Sequence, residues 1–539
     1  MGSNRPVVGA IVIALVLCLS LVIDSVGAEE SGDVFADPIL DGRPIVRIEF
    51  VRNNIFDPTD PSMAWWPYRA ANAIHVVTRE RFLRSMVLFE EGDAWSRADA
   101  AESARILRSL GFINPVYIRA RAEGEGVAVT VETHDQWTLE VGASFGVAGN
   151  RDKWSVEFNE FNFLGTGREV NIHYTSDHER SAWTYSLFDP NIFGSRWRAR
   201  VKYSDASDGR RTEAFAEYPF YSVNTPRAGG GFWKQWEQIE HLYVGGESAV
   251  EGQRDYELLH LWYGLRLPSS DDGVQRLKVG YHLDERIFTD WRFEDDGRPF
   301  QTPDDVTISG PRVSYHRFND TYTVLTGFRA WSAQEDVLMG PTASAGLTWS
   351  APAFGGDVQR IVLDAQWNTT LRWRDWIVLG GVWASGRFDE GSARNWVGGM
   401  QLAASQLGDR GWQARIVVED SYQLDREAQL TLGADVGLRG WDPDYFDGTG
   451  RALVNVQWRT LLKRDFLNLF SVGLVAFGDA GTTWSPRVGF DTDGIRGNVG
   501  VGLLADLTHL SLANLLRLDV AVPDDGSGVT VIVTSQALF

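Results

Sequence analysis

The residue with the most demanding chemistry in this chain is an arginine in an apolar setting. "GLRGWDPDYFDGTGRALVNVQWR" (Gly437 to Arg459) puts Arg439 between Leu438 and Gly440, follows it with Trp441 and an acidic, Gly-rich loop, and ends in an alternating strand. A guanidinium stays charged and offers a planar fork of donors, so away from water it needs a carboxylate partner. A second stretch, "GASFG" (Gly142 to Gly146), fits the G-x-S-x-G pattern of serine hydrolases, whose nucleophile sits on a strand-to-helix elbow. Ser144 lies instead in a period-two run, so a plain strand of small residues is expected. Asp442, Asp444 and Asp447 invite a calcium reading, but their spacing misses an EF-hand and Leu453 stands where its bidentate Glu belongs. A solvated loop is expected there. The nine histidines are scattered without an HExxH pattern, and His173 and His178 read as strand and loop residues. No catalytic constellation emerges. The expectation is a protein that is not an enzyme and uses neither cofactor nor metal.

The rest of the chain says where that arginine points. The 539 residues suffice for one small domain and one large one. Acidic residues outnumber basic ones, 72 to 51, for a net charge of −21, which argues against nucleic acid as a partner. The first 28 residues read as a secretory signal: Arg5 is the positive start, Val7 to Ile23 the apolar core, and Val26–Gly27–Ala28 the cleavage site. A mature chain starting near Glu29 has lost Cys18, the only cysteine, so no disulfide is expected. After residue 30 no apolar run reaches membrane-helix length. A membrane-spanning form must then be a closed barrel, the other structure that satisfies every backbone group in hydrocarbon.

Residues 29–43 read as a linker and 44–134 as a small α+β domain. "PIVRIEFVRN" alternates as a half-buried strand; "TRERFLRSMVLFEEGD" suggests a helix stopped by Gly92. "SRADAAESARILRSLGF" suggests a second helix, with Ser96 and Asp99 in capping-box positions and Ala100, Ser103, Leu107 and Leu110 on one stripe. "PVYIRARA" and "VAVTVET" follow as strands, giving the order β-α-α-β-β.

From residue 135 to 539 the period is two. In "LLRLDVAV", Leu516, Leu518, Val520 and Val522 oppose Arg517 and Asp519; in "RWRARVKY", Trp197, Ala199, Val201 and Tyr203 oppose a row of cations. Many such strands, with no helices to cover their apolar faces, fit a transmembrane barrel with lipid outside and a polar lumen. The alternating segments number nearer twenty than sixteen. Those between 309 and 349 read as extracellular hairpins or as bent pieces of one strand.

Taken in order, these segments resemble the outer-membrane β-barrel assembly and translocation superfamily (the bacterial surface antigen family). Its members place periplasmic POTRA, or polypeptide-transport-associated, domains before a sixteen-stranded barrel. Residues 44–134 look like a single POTRA unit. "EFNFLGTGREV", "DPNIFGSR" and "EYPFYSVNTPRAGG" resemble early periplasmic turns of the family. "LRGW" (Leu438, Arg439, Gly440, Trp441) resembles its arginine-glycine-aromatic motif, and "FGDAG", with Phe477, Asp479 and Gly481, the wall strand that receives it. Phe539 resembles the terminal aromatic signal of outer-membrane barrels. The departures are the single POTRA unit, Gln457 where Glu is frequent, and Ser535 where an apolar residue is usual.

The resemblance implies an inward-folded loop 438–450 in which Arg439 meets Asp479. Strand parity supplies the inward direction of Asp479, and Trp441 is expected on apolar lumen residues such as Phe477. It also implies assembly of outer-membrane proteins or translocation of polypeptides. Clients would arrive at the POTRA domain and be handled at a seam between the first strand (about Leu139 to Val147) and the last (Val529 to Phe539). The partners implied are outer-membrane lipids and unfolded polypeptides, with periplasmic chaperones or lipoproteins as candidates and no nucleic acid. A passive pore or a structural surface barrel is the alternative.

Overall fold

The computed structural model describes residues 34–35, 38–63, 65–148, 151–177, 179–269, 273–467, 469–486, 490–507 and 515–534. The signal-like start, His178 and the terminal Phe539 lie outside them. The first domain contains β1 (Val34–Phe35), β2 (Ile45–Asn53), α1 (Trp66–Ile74), α2 (Glu80–Met86), α3 (Arg97–Arg108), β3 (Ile113–Glu123) and β4 (Gly126–Asp135). Its sheet runs β1-β3-β4-β2, with β2 parallel and β3 antiparallel to β4. Ile45, Leu83, Leu107, Ile118 and Val131 belong to the core between helices and sheet. The Ser96 hydroxyl accepts the Asp99 N–H (3.2 Å) at the start of α3, filling one of the orphan donors of a helix N-terminus. Ala100, Ser103 and Leu107 are buried along the predicted stripe. Strand β1 and helix α1 are additions to the expected order; β1 pairs with β3 and Leu40 joins the core, so part of the expected linker 29–43 belongs to the first domain.

The second domain begins with β5 (Leu139–Ala148), β6 (Arg151–Phe163), β7 (Arg168–Ser176), β8 (Ser181–Asp189), β9 (Arg198–Ala206) and β10 (Gly209–Tyr218). It continues with β11 (Arg227–Val244), β12 (Glu247–Leu267), β13 (Gly273–Phe293), β14 (Val306–Asn319), β15 (Tyr322–Thr326), β16 (Gln334–Leu338) and β17 (Gly340–Ser350). Then come β18 (Arg360–Trp373), β19 (Trp376–Asp389), β20 (Ser392–Gln406), β21 (Arg410–Tyr422), β22 (Gly450–Phe466), β23 (Phe470–Trp484), β24 (Arg496–Leu507), β25 (Leu515–Pro523) and β26 (Thr530–Thr534).

Twenty of these strands follow one another as an antiparallel ring, all but β15 and β16, which pair only with each other. The sixteen strands implied by the resemblance are therefore too few, and the count of alternating segments was the better guide. The ring returns to its start at β26 and β5, where Val531 stands opposite Val147, the single register pair between them among the described residues.

Burial settles which side is which. Along β25, Arg517 and Asp519 are buried, whereas Leu516, Leu518, Val520 and Val522 are exposed. On β23 the exposed positions are Leu474 and Ala476, and the buried ones Val475, Phe477 and Asp479. An apolar outer face and charges turned inward make a transmembrane barrel, since lipid is the solvent that such a face fits. The interior is filled unevenly. Arg198 on β9 remains exposed and Arg200 half-buried, paired with Glu217 on β10 and Glu169 on β7, while the β22–β26 wall is covered by inserted segments.

The first domain sits across one mouth, here the proximal one. Its Asp135 carboxylate accepts the Thr78 N–H (2.7 Å) and hydroxyl (2.8 Å). The Thr78 oxygen accepts from Asn162 Nδ2 (2.8 Å), and Asn162 Oδ1 accepts the Gly167 N–H (2.7 Å). The turn between β6 and β7 is thus a docking element. Gly167, at φ +73°, lies against the Phe82 ring, so close that a Cβ would overlap it. Arg196, before β9, donates to the carbonyls of Met86 and Val87, and Glu102 of α3 accepts the Val223 N–H before β11.

Candidate functional site

The loop 423–449, between β21 and β22, enters the barrel from the distal mouth. At its tip Arg439 meets Asp479 on β23 through both prongs, Nε to Oδ2 at 2.8 Å and Nη2 to Oδ1 at 2.6 Å. The strands dictate this: Asn455, Asp479, Asn498 and Asp519 occupy inward positions on four adjacent strands, β22 to β25, and side chains on one face of a sheet alternate with period two. Asn455 and Asn498 each donate to the Asp479 carboxylate at 2.7 Å. Arg439 Nη1 reaches Gln457 Oε1 (3.3 Å) and Asp519 Oδ2 (3.4 Å), and Arg517 donates to the same Asp519 oxygen at 2.6 Å. Two guanidiniums and two carboxylates therefore balance in a compartment where each side chain is less than a tenth exposed. The Arg439 guanidinium also stacks 3.6 Å from the Phe477 ring centroid, a cation–π contact strengthened by the exclusion of water.

The neighbouring motif residues shape the passage. Gly440 passes so near the wall that a Cβ there would lie 2.5 Å from Asn498 Cβ. Its carbonyl accepts from Thr530 Oγ1 (3.0 Å), so the loop tip is tied to β26, the strand at the seam. At Gly481 a Cβ would meet the Leu432 side chain of the loop at 2.7 Å. Leu438 is fully buried with Leu432, Trp441 and Leu453, and Tyr445 and Phe446 pack on them. Trp441 thus stacks within its own loop and donates to the Gly497 carbonyl (3.2 Å), while Phe477 lies under Arg439. This differs from the expected Trp441–Phe477 contact because the guanidinium already covers the Phe477 face. Gln457 donates to Gln413 (2.6 Å), which donates to Ser405 (2.9 Å). At that position an amide can donate and accept at once, which a carboxylate cannot.

A second insertion enters from the proximal mouth. Strands β15 and β16 form a hairpin whose tip, residues 327–332, meets the same wall. The hairpin lies at the end occupied by the first domain, not at the distal end that the sequence suggested. Arg459, 1 % exposed, donates to the carbonyls of Gly327 (2.6 Å), Phe328 (2.7 Å) and Arg329 (2.9 Å). Asp506 accepts the Trp331 and Ser332 N–H groups at 2.6 and 2.9 Å and the Ser332 hydroxyl at 2.8 Å. Trp331 is buried with Val475, Phe477 and Leu504. Midway along the hairpin, Arg108 of α3 holds Asp336 with two bonds, 2.7 and 2.6 Å. Phe477 therefore has the distal loop on one side and the proximal hairpin on the other. Sequence reasoning offered a hairpin in this stretch but missed its inward course and the wall that receives it. Its signal was a wall arginine, Arg459, with no acidic neighbour on its own face of "NVQWR".

Ser144 lies in strand β5, paired with Ser155, and not on an elbow. Asp444 is used within the loop, accepting from the Thr431 hydroxyl (2.8 Å). Among the described residues, His241, Glu251 and Glu294 could present three atoms to a cation. Glu251 is already engaged by Arg292, and His241 by Ser248 (2.8 Å) and Glu294 (3.1 Å).

No family model and no curated protein matches the chain. Among solved structures it is similar to BamA from Haemophilus ducreyi lacking POTRA domains 1-3, at 12 % identity over 90 % of this chain and 83 % of that one, with a TM-score of 0.38. It is also similar to CdiB from Escherichia coli, at 13 % identity over 90 % and 75 %, with a TM-score of 0.43. The FrpB iron transporter from Neisseria meningitidis matches at 8 % identity over 79 % and 84 %, with a TM-score of 0.40. Likenesses this slight, to barrels of different trades, carry no argument about function.

Proposed function

We propose that this chain is an outer-membrane barrel of the assembly and translocation superfamily that handles polypeptide clients, with its first domain in the periplasm and no catalytic chemistry of its own. One observation carries this reading. The Arg439 loop is fastened across β22 to β26, up to the seam strand through Thr530, while the seam itself is joined by the single described pair Val531–Val147. A barrel whose last strands are braced from within suits a seam between β26 and β5 that can part while the rest of the wall keeps its register. The edge strand β2 pairs with β4 on one side; on the other, residues 91–93 take the Ile45 N–H and carbonyl and the Ile48 N–H, so an extended client could add only along the stretch beyond Ile48.

A passive pore is the competing reading. The two insertions from opposite mouths speak against it, since both lie on the inner wall. Depletion of the protein followed by an inventory of outer-membrane and surface proteins tests the proposal: loss of a defined set of barrels or exported proteins is expected. An unchanged inventory together with a large open conductance in planar bilayers would leave the pore reading standing.

A further inference from the structure

Between β2 and α2 the first domain carries an insertion, residues 54–78, whose helix leaves an apolar face uncovered. The inner face of α1 carries Asn72 together with Tyr68 and Ala71, which pack with Ile55, Phe56 and Trp137. Asn72 donates to the Phe56 carbonyl (2.7 Å) and accepts the Phe56 N–H (3.2 Å), and the His75 ring meets Asn54 Oδ1 at 2.9 Å. Tyr68, on the same side, stacks on Phe56 with centroids 4.7 Å apart. Helical periodicity puts Trp66, Ala70, Ala73 and Ile74 on the opposite stripe. Trp66 and Ile74 are 65 % and 68 % exposed, and the flanking Trp65 and Val76 are exposed too. The one charged residue of the helix is Arg69.

The place of this helix supplies its partner. The Tyr68 hydroxyl donates to the Leu467 carbonyl in the turn between β22 and β23. On the other side, Arg79 donates to the carbonyls of Gly165 (N–H, 2.8 Å) and Leu164 (Nε, 2.9 Å) in the turn between β6 and β7. In the ring these two turns flank β24, β25, β26 and β5, with the seam between the last two. The insertion therefore runs beneath the seam. At both anchor points the barrel's outward apolar surface reaches down to it, through Leu462 and Leu467 on one side and Phe163 and Leu164 on the other, all exposed.

We propose that α1 is a membrane-interface helix. It lies in the headgroup layer of the proximal leaflet, directly under the seam, with Trp65, Trp66 and Ile74 in contact with phospholipid. The chemistry fits: indole rings favour the boundary between headgroups and acyl chains, and an arginine can hold a phosphate there. The inference rests on the membrane-spanning part of the reading above and not on client handling. It gives the seam a fixed depth marker and fastens the first domain to the bilayer.

The test is depth-resolved fluorescence on the full chain in a Cys18→Ser background. Single cysteines at Trp66→Cys and Ile74→Cys carry a bimane label, and the protein is reconstituted in phosphatidylethanolamine–phosphatidylglycerol vesicles containing lipids with a nitroxide near the headgroup. Leu474→Cys, on the outer wall of the barrel, reports that the barrel spans the bilayer, and Glu125→Cys, in the turn between β3 and β4, reports water. Labels at 66 and 74 are expected to be quenched by the lipid nitroxide several-fold more than the label at 125, and by aqueous iodide several-fold less. If 474 is quenched by lipid while 66 and 74 behave like 125, the interface helix is overturned and the membrane barrel stands. Protection of 66 and 74 from iodide by an added apolar peptide, without lipid quenching, overturns it in favour of peptide docking. Using two label sites keeps the test decisive if one variant fails to fold.

Discussion

Arg439 grips Asp479 with two nearly parallel hydrogen bonds, 2.8 and 2.6 Å long, at the centre of the barrel wall. An exposed pair of this kind contributes at most about 1 kcal/mol. Breaking a sequestered one strands a charge and costs roughly 3–5 kcal/mol. Arg439→Ala and Asp479→Ala should each lower the unfolding temperature of the detergent-solubilised barrel, and the double variant should lose less than the sum. Arg439→Lys should rescue poorly, because an ammonium cannot make the two-pronged contact. Additive single effects, read from heat-shifted migration on denaturing gels, would rule out a direct coupling.

Gly440 passes 2.5 Å from Asn498 once a Cβ is imagined on it, and the contact is with another Cβ, not a flexible tip. Gly440→Ala should displace the loop and cost roughly 1–3 kcal/mol, the usual range for overpacking. Limited proteolysis of whole cells should then cleave within residues 423–449 faster than in the wild type. Equal cleavage rates would show that the wall yields.

Arg459 and Asp506 hold the proximal hairpin by its backbone. Arg459→Gln combined with Asp506→Asn removes both charges and most of the bonds to residues 327–332. Single-channel conductance in planar bilayers should rise several-fold over the wild type, or flicker between two levels. A trace indistinguishable from wild type would mean that the hairpin is not an obstruction.

Across the seam, Val531 faces Val147. A cysteine at each, placed opposite by the backbone register, is the pair to cross-link. If clients leave laterally, the oxidised protein should lose its ability to restore the depleted proteins, and reductant should return it. Full activity in a demonstrably cross-linked barrel removes the lateral gate.

His75 and Asp135 are buried together in the first domain, with Nε2 3.7 Å from Oδ2. The distance suits an ion pair, but burial outweighs it: His75 is pushed down to about 4 and Asp135 up to about 6. The signs oppose. The histidine, neutral when folded, contributes stability present above its unfolded value near 6.5 and lost as pH falls toward 4. The aspartate, its folded value raised, contributes stability present below its unfolded value near 3.8 and lost as pH rises through about 6. Hydrogen exchange of the first domain in the full chain should therefore change little between pH 4 and 6. Asp135→Asn should expose the histidine, so that protection drops on acidification. His75→Gln should do the reverse, with a swing of roughly 3 kcal/mol. Matching pH profiles in both variants would contradict the assignment.

Much of the barrel could be read from period two. "LLRLDVAV" alternates cleanly, with Arg517 and Asp519 inward, and in "SVGLVAFGDAG" Ser471 and Asp479 also turned out to face inward. The site was legible to the extent that parity aimed Asp479 at the lumen and the loop offered Arg439. The inward course of the proximal hairpin was not legible. Trp331, Arg459 and Asp506 are far apart in sequence, and nothing in "LTGFRAWSAQ" says that its tip will be received by a wall more than a hundred residues later.

What the sequence determined by itself is local: which residues alternate, which strand faces inward, where an arginine needs a partner and where a glycine gives room. Backbone pleat and side-chain chemistry decide those within a few residues. The tertiary structure decided what requires a closed ring. Among the described residues it set twenty strands in the ring, the approach of Val531 to Val147 at its seam, and the meeting of two loops from opposite mouths on either side of Phe477. Each of these depends on register summed around the whole barrel, where a shift of one residue in any strand would turn its inward side chains to the lipid.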